Sequence, residues 1–106
     1  MEYNVIVVIV DLNQNELVMK AAREAKATGG TILRGKGTSV YEKNQFWGID
    51  VNPEKDIILI ITEDSKTKDI LDSINQSLRL TDPNCGIAFV LKLSDVVGLH
   101  DNEKDI

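Results

Sequence analysis

"DIILIITEDSKTKDILDSINQSL", residues 56–78, changes its period halfway along. Ile57 to Ile61 is an unbroken aliphatic run, too short for a core helix and rich in β-branched residues. It reads as a strand, Asp56 to Thr62, with apolar side chains sent to both faces. Past Thr62 the apolar spacing becomes three and four. Ile70, Leu71, Ile74 and Leu78 form one stripe of a helix from Ser65 to Leu78, with Asp64 or Ser65 available as its cap. A strand covered on one face by this helix still carries aliphatic residues for its other face.

Upstream, Tyr3 to Val10 is a second near-continuous apolar run and reads as the first strand. A helix over 14–27 follows, with Asn13 as N-cap, Glu16 as its capping-box partner and Gly29-Gly30 as the stop. Its expected stripe is Leu17, Val18, Ala21, Ala22 and Ala25. Thr31 to Lys36 is the next strand. The turn Thr81 to Gly86 leads into a last strand, Ile87 to Leu93, and Val96-Val97 can add a short extra one. Residues 100–106 are polar and read as a flexible tail.

The order is β-α-β-β-α-β, the ferredoxin-like split βαβ pattern of the α+β class. It implies a four-stranded antiparallel sheet with both helices on one face, in a single domain over 1–99. The consecutive aliphatic residues require a cover for the second face too. Other copies of the chain are the simplest cover, so a closed homo-oligomer is expected.

The chain has 106 residues and a net charge of −5, which disfavours a nucleic-acid partner. Its apolar runs are far too short to span a bilayer, so no membrane insertion is expected, and a cytoplasmic location is. One histidine and one cysteine supply neither a disulfide nor a His/Cys metal cluster. No nucleophile, base and orienting group stand together, so no enzymatic activity and no catalytic residue is expected. Carboxylates such as Asp50, Glu54 and Asp56 read as solvated strand ends and caps.

Two turns can bind an anion. Arg34-Gly35-Lys36-Gly37-Thr38 combines glycines, which let a ligand approach the backbone, with two cations. An ordinary strand exit is an equally good reading of the same residues. Asn84-Cys85-Gly86 is the second turn, with Cys85 read as an incidental small residue. In a ferredoxin-like sheet the two turns lie at opposite edges and can meet across a subunit boundary. Between the second and third strands, Tyr41, Phe46, Trp47 and Gly48 place aromatics beside the basic turn. Either they fold back over the sheet or a subunit contact, or they form a ligand platform or partner-docking surface.

Three segments carry a family resemblance over about Tyr3 to Leu99. "TGGTILRGKGT" (28–38), "VNPEKDIILIITEDSKTKDILDSI" (51–74) and "NCGIAFVLKLSDVVGL" (84–99) resemble the PII-type signal-transduction proteins, the nitrogen regulatory family. The resemblance implies a homotrimer that binds a small anionic effector, an adenine nucleotide, in clefts between subunits. It further implies regulation of a partner, a membrane transporter or an enzyme, through the loop 38–52. The implied ligand residues are Arg34, Gly35, Lys36, Gly37, Thr38, Asn84, Cys85 and Gly86.

Departures accompany the matches. Thr38 and Ser39 stand where the family has a basic residue and a glutamine, and Ile87 stands where a phosphate-gripping lysine follows the last glycine. Gly98 and His100 replace two arginines. The loop is short and Tyr41 lies near its base, so tyrosine modification is not carried over. Burying a triphosphate without those cations is costly. The alternatives are a metal-binding trimer of the same fold (the divalent-ion tolerance type), a structural oligomer without ligand, and an amino-acid-binding module. No resident cofactor or metal is implied.

Overall fold

The computed structural model describes residues 2–37, 45–46, 49–50, 54–82 and 85–99. The elements are β1 (Tyr3–Asp11), α1 (Asn15–Glu24), β2 (Thr31–Lys36), β3 (Gln45–Phe46), β4 (Ile49–Asp50), β5 (Glu54–Glu63), α2 (Asp64–Leu78) and β6 (Ile87–Leu93). β2, β5, β1 and β6 form one sheet in that order, with every neighbouring pair antiparallel. This is the arrangement expected from the βαββαβ order. The small antiparallel pair β3–β4 lies inside the 38–52 loop and was not expected there.

The aliphatic runs serve two faces. On β5, Ile58 and Ile60 are fully buried, as are Ile6 and Val8 on β1. They pack against Val18, Ala21 and Ala22 of α1 and Ile70, Ile74 and Leu78 of α2. Alternate residues point the other way. Register places Leu33, Ile57, Ile9 and Ile87 in one row, and Leu59, Val7 and Phe89 in the next. Ile61, Val5 and Leu91 make a third. The helices leave this second face open: Leu33, Ile61, Ile87, Phe89 and Leu91 are all exposed.

Several local expectations change. Asn13 is not the N-cap of α1. Its φ is +73°, so it turns the chain in the left-handed region, and Gln14 precedes the helix without a side-chain cap bond. The Gly29-Gly30 pair does not end α1 either. The Ala27 N–H donates to the Ala22 carbonyl and the Lys26 N–H to that of Arg23, with Lys26 at φ +77°. That pair of bonds is a Schellman closure, and here a lysine rather than a glycine takes its left-handed position. Leu17 is 41% exposed and lies outside the buried stripe. α2 begins at Asp64, so Glu63 rather than either expected residue stands at its N-cap, and Glu63 makes no side-chain cap bond. Residues 95–97 carry no regular structure, and Val97 is 98% exposed. A strand needs a partner to pair with, and no described strand pairs with that segment. The expected tail, 100–106, falls outside the described residues.

Candidate functional site

Strand direction places both glycine turns at one end of the sheet. Gly35 lies opposite Lys55, Lys55 lies opposite Asp11, and two residues back along β1, Ile9 lies opposite Ile87. β2 and β6 are the outer strands of that row. Three strand spacings separate them, about 14 Å. Within one chain the two turns therefore share an end but do not touch.

Charged residues bridge the gap. Arg34 and Asp56 are cross-strand partners, with the Arg34 Nε 3.7 Å from Asp56 Oδ1. Lys36 lies opposite Glu54. On the open face, the Lys55 Nζ donates to Asp11 Oδ1 at 2.8 Å. In the approach to the second turn, Arg79 Nε sits 3.2 Å from Asp82 Oδ2. The aspartate that sequence reading placed among solvated strand ends is the most buried of these groups: Asp56 is 1% exposed.

Asp56 joins three elements at this end. Its Oδ2 accepts from the Asn13 N–H at 2.8 Å, the Asn15 N–H at 3.2 Å and the Asn15 side-chain amide at 2.8 Å. A carboxylate from β5 thus does the capping expected of Asn13, and it suits the positive end of the α1 dipole. Burial pushes the Asp56 carboxyl up. The Asn15 side chain, the two backbone N–H groups and Arg34 outweigh burial and hold it below the usual carboxylate range. Its Oδ1 is buried with no hydrogen-bond partner. The signal in the sequence was an acid heading an otherwise aliphatic strand, on the parity of the buried Ile58 and Ile60.

The glycines of the two turns differ. Gly86 has φ +108°, and a Cβ there would lie 2.7 Å from the Ile9 carbonyl oxygen and 2.8 Å from Val10 Cγ1. A Cβ on Gly37 would lie 3.7 Å from Lys55 Cγ, an ordinary contact, and one on Gly35 would meet only the tip of Ile57 at 3.0 Å. Cys85 beside Gly86 is a half-buried free thiol. Of the remaining candidates, Phe46 lies in β3. Thr38, Tyr41, Trp47, Gly48, Asn84 and His100 fall outside the described residues.

Among the described residues no group of three or more His, Cys, Asp and Glu could hold a metal ion. Nor is any described helix long and apolar enough to cross a membrane.

Comparison with known proteins finds similarity both to a family and among solved structures. Residues 3–103 match the family model described as nitrogen regulatory protein P-II. Among solved structures, the chain is similar to the B. subtilis GlnK–ATP complex, at TM-score 0.67 and 14% identity. That match covers 88% of this chain and 85% of the other. No curated protein sequence matches.

Proposed function

The chain belongs to the nitrogen regulatory protein P-II family, and we propose that it works as a homotrimeric regulator that binds an adenine nucleotide between subunits and signals through the loop 38–52. The family is regulatory, not enzymatic, and its members assemble as trimers. The observation that carries the reading is the placement of the two glycine turns. They sit at the same sheet end on opposite edges, so one chain offers each edge of a cleft and cannot close it alone. A neighbouring copy supplies the missing edge. The open face supports the same assembly, because its rows of Leu, Ile, Val and Phe are the kind of surface that obligate oligomers cover.

The ligand side of the cleft would be Arg34, Gly35, Lys36, Gly37 and Thr38 from one copy and Asn84, Cys85 and Gly86 from the next. The GlnK structure is a complex with ATP, and it shares the fold with this chain. An adenine nucleotide is therefore the first effector to test. Tyr41, Phe46, Trp47 and Gly48 would meet the partner, a transporter or an enzyme, with nucleotide biasing which loop state is populated.

Sedimentation with a thermal-shift panel tests the reading. We expect a trimeric mass, and a rise in Tm with at least one adenine nucleotide. A ligand at 100 times its Kd adds about 2.7 kcal/mol, several degrees for a domain of this size. A monomer with a flat panel would overturn both the cleft and the effector.

A further inference from the structure

Three of the four described cations around the two glycine turns are paired with a carboxylate, and the fourth faces one across the sheet. Arg34 has the buried Asp56, Lys55 has Asp11 at 2.8 Å, and Arg79 has Asp82 at 3.2 Å. Lys36 faces Glu54 across the β2–β5 ladder, where directly opposed Cβ atoms are about 5 Å apart. The four cations and four carboxylates sum to zero, so an arriving anion meets no net positive field from them. Asp56 strengthens the effect. It is buried, its carboxyl is held in the charged form, and it is anchored by three N–H donors, so it cannot turn away when an anion approaches Arg34.

A triphosphate of charge about −4 would have to hold each of these cations against its own carboxylate. A monophosphate asks much less, because the successive N–H groups of a glycine turn can hold one phosphate without a side-chain cation. We infer that the cleft selects against charge: it takes a nucleoside monophosphate in preference to the di- and triphosphate. The inference rests on the reading that an adenine nucleotide binds between subunits, and it reverses the order that a cation-lined phosphate site produces.

Calorimetric titration of the full-length assembly with AMP, ADP and ATP in metal-free, low-salt buffer tests it. The expected order is AMP tightest and ATP weakest, with AMP at least about tenfold tighter than ATP, a difference of roughly 1.4 kcal/mol. Magnesium should narrow the gap by lowering the charge of ATP. A second arm uses D82N, which frees Arg79 of the carboxylate 3.2 Å from its Nε. That variant should bind ATP about three- to fivefold more tightly, the size of one exposed ion pair, and AMP less so. ATP binding as tightly as AMP to the unaltered protein, or an ATP-to-AMP ratio unmoved by D82N, would overturn the charge selection and leave the nucleotide reading standing. No binding by any of the three would overturn the nucleotide reading and this inference with it.

Discussion

At Gly86 the backbone takes φ +108° and leaves no room for a Cβ, whereas at Gly37 a Cβ would make only ordinary contact with Lys55. The two turns look alike in sequence, each a glycine closing the exit or entry of an edge strand. One glycine is imposed by the fold, because the turn before β6 is pressed against the Ile9 carbonyl and Val10 of β1. The other is not imposed by anything among the described residues of its own chain. A glycine that packing does not require points to something outside the chain, and an approaching ligand or neighbouring copy fits that description. Substitutions separate the two cases.

The largest effect belongs to Gly86→Ala. It combines a left-handed backbone with sub-van der Waals contacts to β1, and each contributes about 1–2 kcal/mol or more. We expect a loss near 3 kcal/mol by urea unfolding, before any ligand is added. Unfolding at the wild-type urea concentration would show that the turn relaxes freely, and the contrast with Gly37 would collapse.

Next comes Asp56→Asn. The hydrogen bonds to the Asn13 and Asn15 N–H groups lose their charge, and Arg34 loses its partner, for about 2 kcal/mol. The pH dependence follows from the direction of the shift. The folded carboxyl lies below its ordinary value of 3.8, so its contribution is fully present above that value. It is lost as pH falls through the lower, folded value. Acid unfolding of the wild type should therefore include a proton uptake that the Asn variant lacks. Identical acid transitions for the two proteins would remove Asp56 as the tie between β2, β5 and the α1 start.

These residues also mark what the sequence disclosed. β2 and β6 begin and end where the pattern put them, because Gly30, Gly37 and Gly86 bound aliphatic runs and a strand cannot extend through such turns unnoticed. The second, open face was legible as well, since Ile57 to Ile61 has too many consecutive aliphatics for one covered face. The ends of α1 were not. Local rules assigned its cap to Asn13 and its stop to Gly29-Gly30, but a carboxylate 41 residues away from Asn15 took the first role. Lys26 took the second. Long-range capping leaves no local signature, and a lysine at φ +77° overrides its own preference because the Schellman bonds close around it. The pairing of Arg34 and Lys55 with carboxylates was hidden for the same reason. Arg34 and Asp56 are strangers in sequence, and only the β2–β5 register makes them neighbours.

Gly37→Ala should have the smallest effect on stability and the clearest on function. Its φ is not in the left-handed region, and the added methyl meets Lys55 Cγ at 3.7 Å. Folding should change by no more than about 0.5 kcal/mol, and a gain is as reasonable as a loss, because alanine restricts the unfolded chain. A ligand phosphate resting on the backbone here would be pushed outward by that methyl, so nucleotide affinity should fall severalfold with the Tm of the free protein unchanged. The pairing of the two readouts gives the test its force. A fall in both would mean that Gly37, like Gly86, answers to packing, with the loop base contributing nothing to the ligand. Unchanged affinity with unchanged stability would leave the glycine without a reason in either the fold or the cleft, and would move the phosphate to the Gly86 side, where the turn is already set by β1.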